Sequence, residues 1–231
     1  MSKIKHVFFD LDRTLWDFDA NSNETLNELF IEFKLKEKLN CKAETFINSY
    51  QRINEECWAL YRDGKITQAD LRGSRYNLTF AEFGYDNLEL ADEVGTKYIE
   101  VCPQKTKLFE GTHDVLELFS KKYTLHIITN GFEEVQHIKM RCSNLTKYFN
   151  VIMTSQKAGV KKPDEKIFLQ ALSDANAKAS ESIMIGDDLP VDVYGAQKVG
   201  MQAILFDPHK KEWPNGVVVA NELFELIGLV D

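Results

Sequence analysis

Short runs of apolar residues alternate with longer amphipathic stretches along most of the chain. Continuous short apolar runs are typical of buried strands in a parallel sheet, whereas apolar residues at intervals of three and four are typical of a helix face. The pattern predicts strands at residues 4–9, 125–129, 151–153, 182–185 and 202–206, and helices at 112–122, 133–142, 164–174 and 190–199.

The stretch from about residue 21 to residue 101 breaks this alternation. It contains no strand-like run and places apolar side chains such as Leu26, Leu29 and Phe30 at helical spacing. Alternating strands and helices predict a doubly wound α/β fold, a Rossmann-like parallel sheet with helices on both faces. We therefore predict a core of residues 1–16 and 106–231 with an inserted helical cap of residues 17–105.

Charge and composition exclude several classes of protein. The 231 residues include 28 Lys and Arg against 36 Asp and Glu, a net charge of −8, which disfavours binding to nucleic acid polymers. No stretch approaches the ~18 apolar residues that cross a bilayer, so we expect a cytoplasmic protein without a membrane partner. The four cysteines are scattered and form no CxxC pair, and we expect reduced thiols.

Polar side chains follow the predicted strands. Carboxyl ends of parallel strands share one edge of a sheet, where ligands bind. Several carboxylates at this edge would repel each other unless a cation joined them, and oxygen ligands suit Mg²⁺. A hydroxyl and an ammonium nearby would hold a phosphate, so the pattern indicates phosphoryl transfer. The residues concerned are Asp10, Asp12, Thr129, Asn130, Lys162, Asp187, Asp188 and Asp192.

Four motifs in order carry a resemblance to a known family. DLDRTL at 10–15, ITNG at 128–131, KP at 162–163 and GDDLPVD at 186–192 resemble the motifs of the haloacid dehalogenase superfamily. The longer strings TLWDFD at 14–19, IITNGF at 127–132 and GVKKP at 159–163 resemble its nucleotidases for pyrimidine and noncanonical nucleoside monophosphates.

The resemblance implies a two-step phosphatase. Asp10 would attack phosphorus to form an aspartyl-phosphate, and Asp12 would protonate the leaving group and then activate water. Thr129 and Asn130 would bind phosphoryl oxygens, while Lys162 would offset the negative charge around them.

The resemblance also implies Mg²⁺ as the cofactor. Its ligands would be Asp10, the backbone carbonyl of Asp12, and Asp187, with Asp192 reaching the ion directly or through water. The spacing selects Asp187 over Asp188, although Asp188 could compete for the metal.

The expected partner is a small phosphomonoester, with a nucleoside 5′-monophosphate favoured. A sugar-phosphate phosphatase or a phosphoglucomutase-like enzyme of the same superfamily is the alternative. A signalling receiver that only stores an aspartyl-phosphate, or a silent binding protein, is the alternative from a different class. The presence of Asp12 argues against the receiver, because it supplies the acid and base for turnover. The silent binding protein is disfavoured because no acid of the four motifs is missing. Arg13 departs from the glycine that the superfamily often has at this position.

Overall fold

The computed structural model describes residues 3–230 and divides them into two compact units. One unit holds the residues up to Phe18 and those from Thr106 onward, and the other is Asp19–Lys105. The chain therefore leaves the first unit once, after its first strand and the loop that follows that strand, and returns to it once.

A six-stranded parallel sheet is the centre of the first unit, with helices on both faces. The strands are β1 (His6–Phe9), β2 (Thr124–Thr129), β3 (Phe149–Thr154), β4 (Ser182–Gly186), β5 (Gln202–Phe206) and β6 (Val219–Ala220). Their order is β3-β2-β1-β4-β5-β6 and every neighbouring pair is parallel. The order reverses between β1 and β4, and such a reversal opens a crevice at the carboxyl ends of the strands. The predicted doubly wound fold is confirmed.

The regular structure of the second unit is helical, as the apolar spacing predicts, and short turns join its helices. Thr67 and Asp70 show how the sequence starts one of its helices: each side chain accepts a hydrogen bond from the other residue's backbone N–H, forming a capping box. The helices are α1 (Phe18–Glu32), α2 (Leu35–Leu39), α3 (Ala43–Arg62), α4 (Gln68–Glu82) and α5 (Leu88–Val101).

The helices of the first unit connect its strands. They are α6 (Thr112–Ser120), α7 (Glu133–Cys142), α8 (Ser155–Ala158), α9 (Glu165–Asp174), α10 (Tyr194–Lys198) and α11 (Leu226–Leu229). The helix predicted at 190–199 is divided, because a wide π-type turn at Leu189–Val193 precedes α10. The sequence pattern did not predict β6, whose two residues are too few to form an apolar run.

Residues 3–230 contain neither a helix that could cross a membrane nor a disulfide bond. No helix in this range combines the length and the apolar character that a membrane crossing requires. The four cysteines lie within it and form no disulfide.

A pair of histidines lies beside the central strands. His126 on β2 is fully buried, its Nε2 is 3.1 Å from Nδ1 of His6, and its ring stacks 4.5 Å from that of Phe8. Nδ1 of His126 is buried without a hydrogen-bond partner. Burial, with a smaller effect of His6, lowers the pKa of His126 to about 4. The folded protein therefore holds this imidazole neutral at pH values where the unfolded chain protonates it.

We predict that acid destabilises the protein through His126. The unfolded pKa of 6.5 exceeds the folded value, so stability is complete above pH 6.5 and is lost as the pH falls towards 4. The expected loss is about 2 kcal/mol between pH 8 and pH 5. Urea unfolding of wild type and His126→Phe at both pH values measures it. Equal losses in the two proteins would show that another group is responsible.

Candidate active site

Three carboxylates meet at the carboxyl edge of the sheet. Asp10 follows β1, Asp187 follows β4, and Asp192 lies in the π-type turn that precedes α10. One oxygen from each lies within 4.8 Å of the other two. The register of β1 and β4, in which Phe9 pairs with Ile185, brings the first two together. Residues far apart in sequence thus form one acidic cluster.

Gly186 gives Asp192 its place in this cluster. A Cβ at residue 186 would lie 2.3 Å from Oδ2 of Asp192, a distance that real atoms do not tolerate. The same Oδ2 accepts a hydrogen bond from the backbone N–H of Asp188 at 3.1 Å. The glycine of the fourth motif therefore makes room for a carboxylate to fold back over the end of β4.

Lys162 is the buried cation of the cluster. Its Nζ lies 2.7 Å from Oδ1 of Asp10, 2.7 Å from Oδ1 of Asp192 and 2.8 Å from the carbonyl of Ile128. Three acceptors use all three protons of the ammonium. Asn130 holds the backbone of this lysine: its Oδ1 accepts from the Lys162 N–H at 2.7 Å and its Nδ2 donates to the Lys162 carbonyl at 3.0 Å.

Negative charge in the cluster exceeds positive charge. With all three carboxylates ionised, the single ammonium of Lys162 would leave a charge of −2 in the cluster. Burial raises the pKa of Asp10 to about 7, with Lys162 opposing the rise and Asp192 adding to it. Burial and the charges of Asp10 and Asp192 raise the pKa of Asp187 well above its usual range. Burial lowers the pKa of Lys162, but the carboxylates of Asp10 and Asp192 raise it by more, so the pKa lies above its usual value.

A divalent cation fits this arrangement. The donors are carboxylate oxygens, which Mg²⁺ prefers, and an ion of charge +2 would balance the excess negative charge. Asp188 lies outside the cluster of three carboxylates. Its Oδ1 accepts from the backbone N–H of Val191 at 3.1 Å and caps the turn. The predicted ligands Asp10, Asp187 and Asp192 are thus brought together, and the side chain of Asp188 has a separate structural task.

Asp12 has its own partners. Its Oδ1 lies 2.5 Å from Nζ of Lys139, and its Oδ2 accepts from Nε2 of Gln136 at 2.8 Å. The same Nε2 lies 2.7 Å from Oγ1 of Thr129. A Cβ at Gly131 would lie 2.3 Å from Nε2 of Gln136, so the glycine of the second motif makes room for this amide. One helix side chain thus joins Asp12 to Thr129.

Sequence reasoning missed Gln136 and Lys139, three residues apart on α7. Both are buried, with exposed fractions of 0% and 5%, alongside the apolar Met140. Buried polar side chains require partners, so two of them on the inner face of a helix that follows the second motif would have been a usable signal.

Arg13 adopts the conformation that explains the usual glycine at its position. Its φ of +60° lies in the left-handed region, which favours residues without a Cβ. The guanidinium lies 4.9 Å from the ring centroid of Phe18. Its charge also lowers the pKa of Asp187, against the larger effects of burial and of the neighbouring carboxylates.

Comparison with known proteins places these residues in a family context. The model of the family described as haloacid dehalogenase-like hydrolase matches residues 7–206. The pyrimidine 5′-nucleotidase YjjG of Escherichia coli is 29% identical over 91% of this chain and 89% of its own length. A glyceraldehyde 3-phosphate phosphatase of Pyrococcus furiosus is 31% identical over 89% of this chain and 82% of its own.

A solved structure agrees with the fold over nearly the whole chain. The hydrolase YfnB of Bacillus subtilis, whose crystal structure is described as bound to magnesium with interdomain movement, has a TM-score of 0.89 to this chain. Its identity is 25%, and the match covers 99% of each chain.

We predict that Mg²⁺ stabilises the protein without substrate, because it neutralises three clustered carboxylates that repel one another. At a concentration about 100 times the Kd the gain would be about 2.7 kcal/mol. Asp187→Asn, which removes one carboxylate from the cluster, should melt above wild type in metal-free buffer and show little response to Mg²⁺. Differential scanning calorimetry with and without Mg²⁺ measures both effects.

Asp188→Asn is the matched control, since it changes the neighbouring carboxylate that caps the turn. It should keep the wild-type response to Mg²⁺. A full Mg²⁺ response in Asp187→Asn would show that the ion binds elsewhere.

Proposed function

The chain belongs to the haloacid dehalogenase-like hydrolases, and from this premise we propose that it is a Mg²⁺-dependent phosphomonoesterase that acts through an aspartyl-phosphate on Asp10. The observation that carries the proposal is the placement of two aspartates at one strand end, each in contact with a different lysine. Asp10 is buried among charges beside Lys162, whereas Asp12 is half-buried beside Lys139. Such a difference in environment suits a nucleophile and a proton carrier.

In the first step, an oxygen of the Asp10 carboxylate forms a bond to phosphorus while the bond to the leaving oxygen breaks. The leaving oxygen takes a proton from the carboxyl group of Asp12 and departs as an alcohol. The electron pair of the broken bond stays with that oxygen. Asp10 is left as an acyl phosphate and Asp12 as a carboxylate.

In the second step, Asp12 takes a proton from water while the water oxygen forms a bond to phosphorus. The bond between phosphorus and the Asp10 oxygen breaks, and its electron pair restores the carboxylate. Inorganic phosphate leaves, and Asp12 carries the proton for the next cycle. A receiver that stores its phosphoryl group, or a silent binding protein, would have no use for Asp12 and its two donors.

We assign the metal to the carboxylates of Asp10, Asp187 and Asp192 and the backbone carbonyl of Asp12. The bound ion offsets the repulsion between the carboxylate nucleophile and an anionic phosphate. The excess negative charge of the cluster and the magnesium in the YfnB structure support this assignment.

Phosphate binding is divided among residues at the end of β2. We assign the hydroxyl of Thr129 and the backbone N–H of Asn130 to phosphoryl oxygens. The side chain of Asn130 acts as a support, since both ends of its amide bond the backbone of Lys162. Lys162 balances charge on Asp10 and the phosphoryl group.

For the substrate class, we propose a nucleoside 5′-monophosphate, and a pyrimidine one in particular. The strings at 14–19 and 127–132 and the similarity to YjjG support this proposal. The catalytic core recognises phosphate and metal, so we propose that the inserted helical unit, Asp19–Lys105, acts as the cap that selects the leaving group. Sugar phosphates are the second candidate, favoured by the Pyrococcus furiosus relative.

We predict that Asp10→Asn abolishes phosphate release and that Asp12→Asn lowers kcat by ~100- to 10,000-fold, the range of general acid–base catalysis. Phosphate release with Mg²⁺ and circular dichroism of each variant test this. Asp114→Asn, on an exposed position of α6, should retain wild-type rates. Near-normal turnover by Asp10→Asn would exclude the covalent route, and a change below about threefold in Asp12→Asn would exclude its acid–base role.

We predict that uridine and thymidine monophosphates have higher kcat/KM than sugar phosphates at fixed Mg²⁺. A panel of nucleotides and sugar phosphates ranks them directly. If the pyrimidine nucleotides fall well below the best sugar phosphate, the nucleotidase assignment is wrong and the phosphatase assignment stands.

A further inference from the structure

Lys139 is a buried cation that the proposed chemistry does not use. The side chain is 6% exposed, and its Nζ is 2.5 Å from Oδ1 of Asp12. The ammonium lies 4.3 Å from the ring centroid of Trp16 and 5.6 Å from that of Phe18. One carboxylate and two aromatic rings therefore surround it.

Asp12 is the ionic partner of the ammonium while its carboxyl group is ionised, and its Oδ1 can still accept a hydrogen bond from the ammonium when the group carries the proton for the first step. Within residues 3–230 the ion pair of Lys139 is with this carboxylate alone. Aromatic faces attract a cation but do not replace an anion, and a buried charge without an ionic partner is costly. Lys139 is thus held against Asp12 by its own burial, and the rings of Trp16 and Phe18 limit where the ammonium can move.

The two donors to Asp12 come from one helix. Lys139 takes Oδ1 and Gln136 takes Oδ2, and residues three apart lie on the same face of α7. Two donors on different oxygens fix the plane of a carboxylate, whereas one donor would let it rotate. The Gln136 amide also contacts Thr129, so it fixes the position of the Asp12 carboxylate relative to the end of β2.

We propose that Lys139 is a positioning residue that holds the Asp12 carboxyl group in the orientation needed for proton transfer in both steps. The inference rests on the proposed function, since it assigns Lys139 a role only through Asp12. Lys162 does not do this task, because Asp10, Asp192 and Ile128 occupy its three protons.

The leaving group tests this proposal. An alkyl phosphate needs a proton from Asp12 in the first step, whereas the nitrophenolate of p-nitrophenyl phosphate leaves without one. Both substrates need Asp12 as the base in the second step. A displaced Asp12 should therefore slow both steps with the alkyl ester and only the second step with the aryl ester.

For Lys139→Met, kcat with an alkyl phosphomonoester should fall by roughly 10- to 100-fold, the cost of a misplaced catalytic group, while KM stays within about threefold. With p-nitrophenyl phosphate, stopped-flow absorbance should show a rapid burst of one nitrophenolate per active site, followed by slow turnover. Lys139→Arg, which keeps the charge and donors, should recover part of the lost kcat. If Lys139→Met does not fold, Lys139→Gln takes its place in the same assays.

Lys147→Met is the matched control. Its ammonium lies 4.9 Å from the Tyr148 ring, so the variant removes a lysine and a cation–π contact of the same unit at an exposed position. It should keep wild-type kinetics with both substrates.

Three results would overturn the inference: a raised KM with unchanged kcat, which would place Lys139 on the substrate; an equal loss in the first turnover of both substrates; or no change. Asp12→Asn run in parallel separates this failure from that of the proposed function. If Asp12→Asn is crippled and Lys139→Met is normal, only the inference fails. If Asp12→Asn turns over normally, the acid–base assignment itself is wrong.

Discussion

The excess of buried negative charge at one sheet edge is the constraint on which the rest of the site depends. Asp10, Asp187 and Asp192 converge there, and Lys162 balances only one of the three charges. A buried charge is tolerated when it is paired and hydrogen-bonded, so the remaining charge favours either a further cation or the protonation that the raised pKa values of Asp10 and Asp187 indicate. The same requirement explains why Lys162 is held so completely, with three acceptors on its ammonium and the Asn130 amide on its backbone.

Much of the local sequence around the site is understandable as space made for polar side chains. Gly186 and Gly131 both have negative or extended backbone angles, so neither is required by a left-handed conformation. Each is needed because a methyl group would occupy the place of a carboxylate or an amide, Asp192 in one case and Gln136 in the other. The glycines of two motifs therefore have a packing role that follows from the chemistry beside them.

The sequence was sufficient to predict the parallel sheet and the residues at its carboxyl edge, because strand ends in such a sheet share one edge. Asp10 and Asp187 meet for this reason. It was insufficient for Gln136 and Lys139, whose contacts depend on which face of α7 is buried and on side-chain reach across the site. The sequence also did not predict the strand β6, because its two residues form no apolar run and are a strand only through their pairing with β5.

Two aspartates only two residues apart differ through the lysines that accompany them. Lys162 uses every proton on oxygen acceptors, so Asp10 meets a cation that is locked in place and shared with a second carboxylate. Lys139 has a single carboxylate partner and lies against the Trp16 ring. The ring restricts the ammonium, whereas an oxygen acceptor in its place would compete with Asp12 for the protons of the ammonium. A nucleophile within a cluster of charges needs a shared and immobile counter-ion. In the proposed mechanism Asp12 carries the proton, which needs a fixed direction and its own partner, and the helix α7 supplies two donors to Asp12 from outside the acidic cluster.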